Sequence, residues 1–179
     1  MSFRPTLLVS SLLTSFAIAI LALPHNAHAD KQNRYVDRNH GFSFSVPRFA
    51  PSEEIGVTTV AITLSASPSG GFAPNVNVIV QNIKTDLDAF TQLQQRELKS
   101  IGWEVVEQSR RQVRGTPTLR THARGSLQGQ QVEFLSVTMI RRGKSVYVLT
   151  CTATQDQFPL YQMEFERVIS SFVIDGKAH

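Results

Sequence analysis

Histidine, cysteine and hydroxyl residues are where chemistry would first show in this 179-residue chain. Past residue 29 the histidines are His40, His122 and His179, widely separated and without ligand spacing to one another or to the single cysteine, Cys151. Zinc sites gather such ligands at short spacings, so no metal or cofactor is expected. Cys151 with His122 as its base would make a nucleophile couple. However, Tyr147, Leu149, Cys151 and Ala153 alternate along one strand face, which places the thiol in the core, where a thiol without a cationic neighbour is inert. No Gly-x-Ser-x-Gly elbow occurs, and Gly70-Gly71 lacks the Lys-Ser/Thr that completes a phosphate loop. Asp86 and Asp88 open a helix, where capping and the helix dipole account for them. A non-enzymatic protein is the expectation. A hydrolase or other small-molecule enzyme with an unrecognised site is the alternative.

Positive charge is the uneven feature. The whole chain carries 18 Lys and Arg against 14 Asp and Glu, a net of +4 that by itself implies no nucleic-acid partner. Yet Arg110, Arg111, Arg114, Arg120, Arg124, Arg141, Arg142 and Lys144 share a stretch whose one acidic residue is Glu133. If this stretch is a meander, Arg114-Gly115 and Arg142-Gly143 turn at the same end of the sheet. Arg110, Arg111, Arg114, Arg141, Arg142 and Lys144 then gather at one edge, and Arg120, His122 and Arg124 share a face. A two-residue turn at Gln128-Gly129 sets Arg124 opposite Glu133. The cluster reads either as a solvated rim that protects the sheet edge or as a site for an anionic partner: protein, anionic lipid or polyanion. The candidate binding residues are Arg110, Arg114, Arg120, Arg124, Arg141, Arg142 and Lys144. The apolar face around Phe49 and Phe72 is the fallback.

The elements that must position these residues follow from periodicity. Phe42, Phe44 and Val46 alternate with serines and stop at Pro47, a half-buried strand. Val57 to Leu64 is β-branched and predicts a strand, and Ser65 to Pro74 predicts a loop. Val76, Val78 and Val80 share one face of the next strand. A helix begins after Asp86, with Leu87, Phe90, Gln94, Leu98 and Ile101 along one side, and ends near Gly102. Trp103 to Val113, Thr116 to Leu127, Gln131 to Arg141 and Ser145 to Thr154 read as four strands joined by short Gly-containing turns. A second helix over Phe158 to Ser170 carries the stripe Tyr161, Phe165, Val168 and Phe172 and leads to a short extended piece at Val173-Ile174. The polar residues 30–34 predict a frayed lead-in. This is an α+β pattern, a largely antiparallel sheet with helices packed on it.

The first 29 residues have the parts of a cleavable secretory signal. Arg4 precedes an uncharged apolar stretch from Leu7 to Leu23, Pro24 breaks it, and Ala27-His28-Ala29 has the small-x-small form that signal peptidase reads. An exported, soluble protein starting at Asp30 is expected, periplasmic or secreted. One domain then occupies residues 30–179, and an uncleaved anchor is the other reading of the same run. Arg4 would leave with the signal, lowering the net charge to +3. The lone Cys151 permits no internal disulfide, and a domain of this size has a core large enough to do without one.

Four segments in order resemble a known family. They are Gly41-Phe42-Ser43-Phe44-Ser45-Val46-Pro47, the strand Asn75 to Val80 with its following helix and Gly102, the strand Val146 to Ala153, and Gln157-Phe158 with Phe165 to Phe172. Together, from about Tyr35 to Ile174, they look like the PsbP-like superfamily of photosystem II extrinsic, Mog-type Ran-binding and DcrB-like bacterial envelope proteins. The resemblance implies an α/β/α sandwich around an antiparallel sheet with two main helices. It also implies a non-enzymatic binding or assembly role but no one partner, since members bind photosystem subunits, a small GTPase or hydrophobic segments of other proteins. For an exported chain the expected partner is a protein of the envelope. Phe49 departs from the Trp that many relatives carry after the Pro, and no histidines match the metal site of some plant members.

Overall fold

The computed structural model of the protein describes residues 34–49, 62–66, 71–141 and 144–174. An N-terminal hairpin comes first: β1 (Arg34–Asp37) pairs antiparallel with β2 (Phe42–Ser45). Asp37 Oδ1 accepts from the His40 amide at 2.8 Å and so fixes the intervening turn. β1 lies where the sequence predicts only a lead-in up to residue 34. The third strand, β3 (Ile62–Ser65), covers the end of the expected one; its earlier part falls outside the described residues. β4 (Asn75–Gln81) follows.

α1 (Leu87–Ser100) starts where Asp86 accepts from the Ala89 amide at 2.8 Å, satisfying one of the free N–H groups of the first turn. The meander is β5 (Glu104–Val113), β6 (Thr116–Leu127), β7 (Gln130–Arg141) and β8 (Ser145–Thr154). Its turns at Arg114-Gly115 and Gln128-Gly129 have positive φ at both positions, 50° then 80° in each. That is the turn geometry whose twist matches two antiparallel strands, and glycine at the second position removes half its steric cost. α2 (Phe158–Ser171) and β9 (Val173–Ile174) are the last described elements.

The strands form two sheets. Six antiparallel strands run in the order β3-β4-β8-β7-β6-β5, and β1-β2-β9 make a smaller sheet. One face of the large sheet packs against α2 and the hairpin through Val76, Val78, Leu135, Val137, Tyr147, Leu149, Phe165, Val168 and Phe172, all buried. Each such side chain contributes about 1.5–3 kcal/mol on burial. α1 covers the other face through Phe90 and Leu98. The arrangement is the expected α+β sandwich, with the three-stranded sheet as an addition that periodicity did not foresee.

α1 sits on a polar strip. Thr63, Asn77, Thr150, Ser136, Thr121 and Gln108 are successive cross-strand partners from β3 to β5. Gln94, the polar break in the helix stripe, lies on this row. It accepts from Thr121 Oγ1 at 2.8 Å and from Gln108 Nε2 at 3.0 Å. A leucine at position 94 would leave the buried Thr121 hydroxyl without this acceptor, so the interruption is a matched contact. Ile101, the predicted end of the stripe, is 47% exposed because the helix has already terminated there.

Candidate functional site

Cys151 is wholly buried, and burial pushes its thiol well above the ordinary value, with Glu166 and Glu164 pushing the same way. It lies opposite Leu135, which lies opposite His122, so cysteine and histidine are two strands, about 9–10 Å, apart. They form no couple. His122 instead stacks on Phe158, with ring centroids 5.2 Å apart, and its Nε2 meets Glu133 Oε1. His40 lies beside Asp37, Nδ1 to Oδ2 at 2.8 Å, on the β1–β2 turn. Among the described residues no three His, Cys, Asp or Glu side chains converge to hold a metal.

The basic run divides by what each cation touches. Arg110 reaches to Asp88 at the start of α1. Arg124 makes a two-pronged contact with Glu104, at 2.9 and 3.0 Å. Glu133 is indeed its cross-strand neighbour, but Glu133 is taken by His122. Arg120 donates to Glu107 at 2.9 Å and to Glu166 at 2.6 Å, so α2 is tied to the outer strands. Arg111 is 3.6 Å from Glu107. These contacts hold Glu104 and Glu107 below the usual glutamate range, through hydrogen bonds from Arg124 and from Ser109 with the Arg120 charge respectively.

Three cations of the run have no carboxylate partner among the described residues: Arg114, Arg141 and Lys144. Arg114 is in the β5–β6 turn, Arg141 ends β7, and Lys144 precedes β8. The registers Val113 opposite Thr116, Thr118 opposite Met139 and Arg141 opposite Ser145 set both turns at one end of the sheet. Arg142, the other candidate at this end, lies outside the described residues. Arg141 lies over the Tyr147 ring, its Cζ 5.0 Å from the centroid, and Tyr147 Oη donates to the His40 carbonyl at 2.9 Å. The β1–β2 turn is thereby drawn to the same end and brings exposed Arg38 with it. Sequence reasoning missed Arg38 because nothing local links a turn near residue 40 to a strand near residue 147. Phe49 and Phe72 do not share a face: Phe49 packs with Tyr161 and Phe165, and Phe72 with the Leu98–Trp103 cluster.

Beside α2, over β5 and β6, lies a cleft of about 390 Å³. Val137, Ile169 and Thr118 line it below, and Arg120, Glu107 and Glu166 line its wall.

Comparison with solved structures decides the fold. Cyanobacterial PsbP (CyanoP) from Synechocystis sp. PCC 6803 superposes with a TM-score of 0.63 over 86% of this chain and 99% of that one, at 17% identity. The chain has a PsbP-like fold. LpqN, involved in cell envelope biogenesis of Mycobacterium tuberculosis, matches at a TM-score of 0.57 with 16% identity, over 82% of this chain and 87% of its own. The Saccharomyces cerevisiae Ran-binding protein Mog1p matches at 0.52 with 11% identity, over 79% and 94%. No protein-family model matches the chain, and no curated protein matches it by sequence. The PsbP-like scaffold of this chain thus presents two surfaces of different character: a basic sheet end, and a charge-balanced cleft beside α2.

Proposed function

We propose that this protein is an exported, non-enzymatic binding module of the cell envelope that holds a protein partner through the basic end of its large sheet. The observation that carries this reading is the segregation of charge. Within the basic run, Arg110, Arg111, Arg120 and Arg124 are neutralised by carboxylates, while Arg114, Arg141 and Lys144 meet at one end without one among the described residues. Unneutralised charges at the end of a sheet steer encounter with an anionic surface. The signal-like first 29 residues support export, and LpqN supplies an envelope precedent on the same fold. Among the described residues no helix is long and apolar enough to cross a membrane.

The test is affinity capture of the processed protein from its native envelope, set beside vesicle flotation. A defined protein partner lost on Arg114→Glu with Lys144→Glu supports the proposal. Flotation of the wild type with anionic vesicles, abolished by the same pair of changes and without a protein partner, replaces it with lipid binding.

A further inference from the structure

The cleft beside α2 is built differently from the basic end. Val137 and Ile169 give it an apolar floor, 1% and 4% exposed. Thr118, wholly buried in the same lining, has an Oγ1 without a hydrogen-bond partner among the described residues. A hydroxyl taken from water without a partner costs about 1–3 kcal/mol, so such groups as a rule serve something. Above the floor Arg120 is 17% exposed and strung between Glu107 at 2.9 Å and Glu166 at 2.6 Å. Two of its five N–H donors are thus engaged. Arg111 stands at the rim.

Charge decides the class of occupant. Two arginines and two glutamates leave the cleft lining with no net charge. A net anion or cation entering here would meet as much repulsion as attraction. A neutral group that carries both a donor and an acceptor meets free capacity on both sides, and an extended peptide backbone is such a group. The volume lies within the range of small-ligand pockets, about 300–1,000 Å³. We infer that the cleft seats an uncharged, extended segment of a protein partner, with one aliphatic side chain on Val137 and Ile169 and its backbone amide among Thr118, Arg120 and Glu166. The inference takes the source of the segment from the protein-binding reading and uses none of the basic-end residues.

The probe is acetyl-Ala-Leu-Ala-amide, titrated into isotope-labelled protein produced with export so that processing takes its native course. Amide signals of Thr118, Arg120, Val137 and Ile169 should move, and acetyl-Ala-Gly-Ala-amide should bind at least about fivefold more weakly because it lacks the anchor. Ser170→Trp, at an exposed position of the cleft lining, should abolish the shifts with an unchanged melting temperature. Thr118→Val should weaken binding about fivefold while leaving stability equal or higher, since no protein hydrogen bond is lost. Equal response to the glycyl peptide, an equal response to free L-leucine, shifts away from the cleft, or normal binding by Ser170→Trp would each overturn the inference. A captured partner that is lost with Arg114→Glu but kept by Ser170→Trp removes the cleft and retains the basic end. The converse retains the cleft and removes the basic end.

Discussion

At the scale of single residues, burial separates groups that look alike in sequence. Cys151 sits at 0% exposure, its thiolate disfavoured by burial and by two nearby glutamates. It should react with thiol reagents only when the protein unfolds, and Cys151→Ala should preserve binding. Rapid labelling of the native protein at neutral pH would contradict this. Glu164 behaves oppositely. Arg167 donates to it at 2.6 and 3.0 Å, the Arg48 amide donates as well, and these bonds hold its carboxyl below the usual glutamate range. Arg167 also donates to the Val46 carbonyl at 2.6 Å, so the group pins α2 to the end of β2. A carboxyl with a lowered folded-state pKa stabilises fully above its unfolded value, about 4.3, and loses that contribution as pH falls through the folded value. Glu164→Gln should therefore cost on the order of 1 kcal/mol at pH 7, with the gap to wild type closing below about pH 4. Thermal melts across that range check it, and a gap independent of pH would refute the assignment.

At the scale of elements, close approach matters as much as apolar pattern. Gly125 lies under Trp103: a Cβ there would come within 2.5 Å of the indole ring, which is itself packed on Phe134 at 5.4 Å between centroids. Gly125→Ala should destabilise by about 1–3 kcal/mol, as overpacking does. Phe165→Ala on α2 should cost about 3–5 kcal/mol by opening a cavity between helix and sheet. Denaturant unfolding measures both, and a loss below about 1 kcal/mol at Phe165 would mean α2 is not the buried cover of that face. These elements also show what could be read in advance. The Gly-containing turns announced the meander because positive φ at two successive residues has few sequence solutions. Asp86 and the stripes of α1 and α2 were visible for similar local reasons. β1 was not, because four residues ending in aspartate acquire their strand character only by pairing with β2. Nor was the role of Gln94, whose partners Gln108 and Thr121 arrive from other strands. Arg124 illustrates the same limit at the site. Its register against Glu133 followed from the turn, but the choice of Glu104 followed from β5 flanking it on the other side.

At the scale of the molecule, charge is distributed unevenly about the large sheet. The edge strand β5 runs for ten residues with a register shift between Val105 and Glu107. A long edge strand invites pairing with another chain, and β5 answers with a bulge and with Glu104, Glu107, Arg110 and Arg111 along it. Those charges are spent on neighbours and explain why the basic run does not act as one patch. What remains is the end of the sheet, where Arg114 and Arg141 stand with Lys144 and Arg38. Neither Arg114 nor Arg141 has a carboxylate partner among the described residues, so Arg114→Glu with Arg141→Glu should leave the melting temperature within a few degrees of wild type. The effect on Arg141 is limited to its contact with Tyr147, about 0.5–2 kcal/mol for a half-buried cation over a ring. Capture of the anionic partner should weaken at least about tenfold in the double reversal, and wild-type binding should fall as salt rises, because screening acts within about 8 Å at physiological ionic strength. Binding measured by surface immobilisation at several salt concentrations separates the outcomes. Salt-independent affinity that survives the reversal would make this end a solvated rim and leave the cleft beside α2 as the surface that carries recognition.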